Sequence, residues 1–162
     1  MKMNKREFLK SAAALSSLTL LPGCNWETSD QKRLRTAHIG VGNMGGEDLK
    51  AISSHEMVDV VALCDVDSNN LSAAAKLHPK AKLFSDYREL FKEMADGIDA
   101  VIVSTPDHPH APASMMAMDL DKAVYCQKPL THHVTEARAM NKLATDKKLV
   151  TQMGIQVHSF YD

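Results

Sequence analysis

Three glycines at G-x-G-x-x-G spacing, Gly40, Gly42 and Gly45, stand in the stretch A-H-I-G-V-G-N-M-G-G from Ala37 to Gly46. An apolar-leaning run, Thr36 to Ile39, enters this stretch. Gly45, Leu49 and Ile52 leave it at i, i+4, i+7, on one face of a helical period. Between a strand and a helix each glycine serves a distinct physical purpose. Gly40 permits the tight turn, Gly42 lets a pyrophosphate approach the backbone, and Gly45 lets the helix lie close to the sheet. Asn43 and Met44 complete the turn, where backbone N–H groups and the positive end of the helix dipole face a phosphate. The spacing alone also fits an ordinary glycine-rich turn. An acid twenty residues past Gly45 decides between them: Asp65 closes the run V-D-V-V-A-L-C-D. There it is placed to accept hydrogen bonds from an adenosine ribose, and its charge repels a 2′-phosphate. The chemistry read from these residues is dinucleotide binding, with NAD expected ahead of NADP.

The rest of the chain has to supply a sheet that positions these groups. Val58 to Asp65 is a near-continuous apolar strand, as a parallel sheet covered on both faces requires. Asp67 is placed to cap a helix that Pro79 stops after about His78. Lys82 to Phe84 is a short strand, and Asp86 with Glu89 has capping-box spacing ahead of Leu90 and Phe91. A strand at Ala100–Val103, a helix from Pro109 through Met118 and a strand at Ala123–Cys126 follow. A helical face at Val134, Ala137 and Met140 then precedes a last strand opening at Leu149. Six strands joined by crossovers predict an α/β fold with a doubly wound parallel Rossmann sheet, order 3-2-1-4-5-6. Ligands of such sheets bind beyond the carboxyl ends of the strands, where the order reverses.

The polar clusters fall at those ends: Ser104-Thr105-Pro106-Asp107-His108-Pro109-His110 after strand four, Gln127-Lys128-Pro129-Leu130-Thr131-His132 after strand five, and Gly154-Ile155-Gln156-Val157-His158 after strand six. With H-I-G-V-G-N-M-G and C-D-V-D ahead of them, in this order and spacing, residues 35–162 resemble the N-terminal domain of the Gfo/Idh/MocA oxidoreductases. The family's usual E-K-P triplet stands here as Gln127-Lys128-Pro129, which removes a carboxylate near the nicotinamide end and keeps the lysine. The resemblance implies that Lys128 is catalytic, its ammonium hydrogen-bonding a substrate hydroxyl and stabilising an alkoxide as hydride leaves carbon, or, if buried with a lowered pKa, moving the proton itself. Read without the resemblance, it is a surface lysine before a turn-forming proline. Thr105 and Pro106 are expected to shape the wall beside the cofactor, Gln127 and Lys128 to lie at its nicotinamide end, and Gln156 with His158 to reach toward the nicotinamide or a sugar hydroxyl. His110 either packs near the nicotinamide or opens a helix by bonding backbone.

His108, His110, His132, His133 and His158 invite a metal reading, but neither H-x-H nor H-H comes with a carboxylate or cysteine at ligand spacing, so no metal is expected. Cys64 and Cys126 end strands that are not neighbours in the expected order. Both are read as buried small hydrophobes rather than a disulfide.

The first residues read as targeting, not fold. Lys2, Lys5, Arg6 and Lys10 form a basic segment, Ser11 to Leu21 a short apolar one, and Leu21-Pro22-Gly23-Cys24 a lipobox-like close. Residues 1–23 are expected to be an export signal with a twin-arginine-like Lys5-Arg6 pair, Cys24 a lipid-bearing first residue, and 24–34 a polar tether. The expected location is periplasmic or membrane-anchored, with membrane contact only through that lipid. Without residues 1–23 the formal charge of −1 becomes −4, and no basic block suggests a nucleic-acid partner. The resemblance implies a second α/β domain beyond Asp162 that carries the acid/base and any homo-oligomer contact. The chain is therefore expected to be truncated or a fragment, and inactive alone. Three functions remain open: the NAD-binding domain of an oxidoreductase acting on a sugar or cyclitol hydroxyl, an NAD-using glycosidase with transient hydride transfer, and a non-catalytic nucleotide-binding module.

Overall fold

A strand that is apolar throughout has to be covered on both faces, and the segment A-V-I-V at Ala100–Val103 is buried at all four residues. The computed structural model describes residues 32–155 and 157. Its elements run β1 (Leu34–Ile39), α1 (Met44–Ser53), β2 (Val58–Cys64), α2 (Ser68–Leu77), β3 (Lys82–Phe84), α3 (Tyr87–Met94), β4 (Ala100–Val103), α4 (His110–Asp119), β5 (Ala123–Gln127), α5 (Val134–Lys147) and β6 (Thr151–Gly154). The six strands form one sheet in the order β3-β2-β1-β4-β5-β6, every pairing parallel. This is the doubly wound Rossmann order expected from the sequence. It places the reversal between β1 and β4.

Alternation along β2 shows how the two faces are filled. Leu63 packs with Val41, Leu49 and Ala74 in the cluster shared with α1 and α2. Ala62 and Cys64 turn to the opposite face and join Leu90 and Phe91 of α3, Met118 of α4 and Met140 of α5 in the larger core. Cys64 and Cys126 are both free and buried.

Element ends depart from the sequence reading where polar contacts decide them. β1 begins at Leu34, one residue inside the stretch read as tether, because Leu34 and Arg35 already pair with Val58 and Asp59. Arg35 is held there by a two-pronged bond to Asp99, Nε to Oδ2 at 2.9 Å and Nη2 to Oδ1 at 2.7 Å. The guanidinium keeps the Asp99 carboxyl well below the usual carboxylate range. β6 starts at Thr151 rather than Leu149, since the Leu149 N–H donates to Ala144 O at 2.9 Å and so closes α5. Lys148 adopts the left-handed cap conformation, φ 54°, in that closure. Asp86 caps α3 by accepting from Arg88 N at 2.8 Å. A reaching-back glutamate occurs at α5 instead, where Glu136 Oε2 accepts from His132 N at 3.1 Å and His133 N at 2.9 Å.

Candidate dinucleotide site

The β1–α1 turn meets the end of β4 too closely for side chains. Gly40 has φ +82°, and a Cβ there would lie 2.7 Å from Ser104 O. A Cβ on Gly45 would collide with the Gly40 carbonyl and press on Ser104 Cβ, so the helix lies against the sheet only because this residue is glycine. Asn43, at φ 45° and ψ −117°, holds a backbone conformation that a non-glycine residue adopts only at a cost of about 1–3 kcal/mol, a cost met mostly at ligand sites.

A cleft of about 780 Å³ opens over this turn. Gly40, Gly42, Asn43 and Met44 form one wall, Asp65, Val66 and Asp67 the next, and Thr105 and Pro106 the wall after β4. Asp65 braces the turn from β2: Oδ2 accepts the Val41 N–H at 2.8 Å and Oδ1 accepts the Asp67 N–H at 2.9 Å. The cleft continues past β3 to Asp86 and Arg88, where the guanidinium sits 3.3 Å from the Asp86 carboxylate and 4.7 Å from the Tyr87 ring. Negative charge dominates this end. The nearby Cys64 thiol is pushed up to about 12, first by burial and then by Asp65 and Asp86.

Two features fit a dinucleotide. The Thr105 hydroxyl is buried with no partner among the described residues although Thr105 lines the cleft, which leaves it for a ligand. At Gly42 a Cβ would strike the Asn70 carboxamide, which also lines the cleft. The backbone there is bare and faced by a movable donor.

The cleft thus collects Gly40, Gly42, Asn43, Met44, Asp65, Thr105 and Pro106, with Gly45 packed beneath it. Three other sequence candidates lie elsewhere. His110 opens α4 as expected, but its ring, 1% exposed, is not on the cleft wall. Nδ1 faces Pro129 O at 2.7 Å and Nε2 faces Thr105 O at 2.8 Å. Carbonyls only accept, so both nitrogens donate and the ring is an imidazolium. Burial opposes that charge, but the Cys126 sulfur and the two carbonyls outweigh it and lift the imidazole to about 9. His110 therefore ties the loop after β4 to the loop after β5. Gln127 is likewise buried behind the cleft, its amide bonded to Asp48 at 3.0 and 3.1 Å. Lys128 is exposed just past β5, next to a cis Lys128–Pro129 peptide. It does not line this cleft. Gln156 and His158, like the signal and lipid-site candidates, lie outside the described residues.

Sequence reading missed Asp48 and Asn70. Asp48 carried a readable signal: it falls three residues past Gly45 on the same face of α1, an acid on a stripe that must pack inward.

A parallel sheet of this order, a glycine turn at its reversal and an acid after β2 together define a Rossmann-type dinucleotide-binding domain. Residues 34–155 match the family described as "Oxidoreductase family, NAD-binding Rossmann fold", GFO_IDH_MocA. The chain belongs to that family, and its cofactor is NAD. Among curated relatives it is 35% identical over 135 residues to a glycosyl hydrolase family 109 protein of Stenotrophomonas maltophilia, covering 77% of this chain and 29% of that protein. It is 29% identical over 117 residues to an inositol 2-dehydrogenase of Salmonella typhimurium, covering 71% and 34%. The chain thus spans about a third of the length of these relatives. The fold superposes on myo-inositol 2-dehydrogenase from Lactobacillus plantarum with a TM-score of 0.71 at 28% identity, over 80% of this chain and 38% of that one. For GenD2 from gentamicin A biosynthesis, solved with NAD, the TM-score is 0.70 at 25% identity, over 76% and 34%.

Proposed function

We propose that this chain is the NAD-binding part of an exported oxidoreductase that moves hydride between NAD and a hydroxyl of a sugar or cyclitol. The observation that carries the reading is the cleft itself, in which the strained glycine turn, the Asp65 brace and the unpartnered Thr105 hydroxyl converge at the sheet's reversal. When bound, the nicotinamide supplies the hydride acceptor or donor. The chain's own residues orient and hold it: the turn receives the pyrophosphate, and Asp65, Asp67 and Asp86 outnumber Arg88 at the other end, which disfavours a 2′-phosphate. Lys128 stands after β5 with no partner for its ammonium among the described residues. There it stabilises the negative charge that develops on a substrate oxygen.

Removing one such electrostatic partner costs roughly 10²–10³ in rate. In the complete enzyme Lys128→Met should therefore lower kcat and kcat/KM together while the Kd for NAD stays near wild type. Near-normal turnover with weakened NAD binding would make Lys128 a cofactor contact instead. The likeness to a glycosyl hydrolase family 109 protein supports a second reading, an NAD-using glycosidase. Cleavage of an aryl glycoside that requires NAD yet accumulates no NADH would select it. Export rests on the Lys5-Arg6 pair and Cys24. A Lys5→Gln, Arg6→Gln chain that still reaches the periplasm would remove the twin-arginine reading, and an unmodified Cys24 in membrane fractions the lipid anchor.

A further inference from the structure

Asp48 is an interior carboxylate that lines no part of the cleft. It sits on α1 at 7% exposure, and donors from two strand ends converge on it. Ser104 Oγ, just past β4, donates to Oδ2 at 2.6 Å. Gln127 Nε2, at the end of β5, donates to Oδ2 at 3.0 Å and Oδ1 at 3.1 Å. The other end of the Gln127 amide is also engaged, its Oε1 accepting the Lys128 N–H at 3.2 Å. Ser104 in turn touches the phosphate turn, its carbonyl against Gly40 and its Cβ against Gly45. A buried carboxylate is tolerated only where donors replace its lost water, so this convergence is an obligatory geometry rather than an incidental one.

We infer that Asp48 is a positioning residue: through Gln127 it fixes the Lys128 backbone relative to the phosphate-binding turn, and it requires an uncharged amide at position 127 to do so. The functional meaning rests on the dinucleotide reading of the cleft; the link itself does not. A glutamate at 127 would set two carboxylates about 3 Å apart, and like charges at that distance cannot both ionise, so one would take up a proton. Among the described residues, Tyr125 of β5 interacts with Asp48 directly, while Cys126, Lys128, His110 of α4 and His38 of β1 lie on or next to the neighbouring elements. The Tyr125 phenol is raised by burial, then by Asp48 and Cys126. His110 is lifted to about 9 and His38 held down at about 3. The wild-type profile absorbs whatever these groups contribute.

The test compares wild type, Q127E and the exchanged pair D48N/Q127E at about pH 5.5 and about pH 8, by NAD titration and by thermal melting without cofactor. In Q127E the affinity for NAD should fall about tenfold from the lower to the higher pH, where wild type changes less than about twofold, and the melting temperature should fall with it. The exchanged pair restores one carboxylate and one amide, and should bring both readouts back to the wild-type profile. A structural defect alone would give neither the pH dependence nor the rescue. A Q127E melting profile parallel to wild type, a Q127E chain unfolded at about pH 5.5, or an exchanged pair no better than Q127E at about pH 8 would each overturn the proposal. If wild type itself binds no NAD, the dinucleotide reading fails while the melting comparison still decides the Asp48 link.

Discussion

Asp65 shows one side chain carrying two duties. Its position after β2 and its charge suit it to discriminate at a ribose, yet in the structure both oxygens are already accepting, from Val41 N and Asp67 N. A carboxylate oxygen has a second lone pair, so bracing the turn and meeting a ribose hydroxyl are compatible. Replacing it tests both duties at once. Asp65→Ala should weaken NAD binding, because the turn loses its brace, and should also narrow the preference for NAD over NADP. Asp65→Asn, which keeps an acceptor but not the charge, should narrow the preference with a smaller loss of NAD affinity. Titration with both cofactors checks this, and an undiminished preference in both variants would remove Asp65 as the discriminator.

At the scale of elements, α1 is the part on which everything converges. Its first turn underlies the cleft, its inward face carries Leu49 into the core and Asp48 into the polar link, and its approach to β4 depends on one missing side chain. Gly45 and Gly46 are neighbours on this helix with different surroundings. A Cβ on Gly45 meets the Gly40 carbonyl, whereas on Gly46 it would stand 3.3 Å from Val41 O. Gly45→Ala should therefore destabilise the domain by about 1–3 kcal/mol through overpacking, and weaken NAD binding as the turn shifts. At Gly46 the helix-forming advantage of alanine, about 0.5–1 kcal/mol, offsets the tight contact and leaves stability nearly unchanged. Equal losses in chemical denaturation of the two variants would show that the close approach of α1 to the sheet is not what Gly45 serves.

For the molecule as a whole, two interior histidines give stability opposite pH dependences. His38 on β1 is buried, with Nδ1 unpartnered among the described residues. Burial, followed by the charge of His78, pushes its imidazole down to about 3. Its folded pKa lies below the unfolded value of about 6.5, so its contribution is present above pH ~6.5 and is lost as pH falls toward 3. His110, lifted to about 9, works the other way: its contribution is complete below pH ~6.5 and is lost as pH rises through 9. Melting temperature should thus decline on both sides of a neutral optimum. His38→Val should flatten the acid limb and His110→Gln the alkaline limb, each leaving the other limb in place. Variants whose limbs match wild type would assign the pH dependence to other groups.

Local patterns determined the fold class and the phosphate turn, because both depend on short-range rules. Apolar runs of four to eight residues, caps such as Asp67 and the spacing of Gly40, Gly42 and Gly45 act over one or two elements, and the parallel order follows from crossover handedness. Contacts between distant positions were not legible in that way. Asp48 and Gln127 are 79 residues apart, and Arg35 and Asp99 are 64 apart. Neither pair has a periodicity that joins it. His110 could be read from sequence as a cofactor contact or a backbone tie with equal reason. Only the packing of the loops after β4 and β5 put carbonyls on both its nitrogens and made it a buried imidazolium. Tertiary structure decided such roles because a polar side chain inside a core takes its function from the groups that replace its water, and those groups are assembled by the sheet from strand ends far apart in the chain.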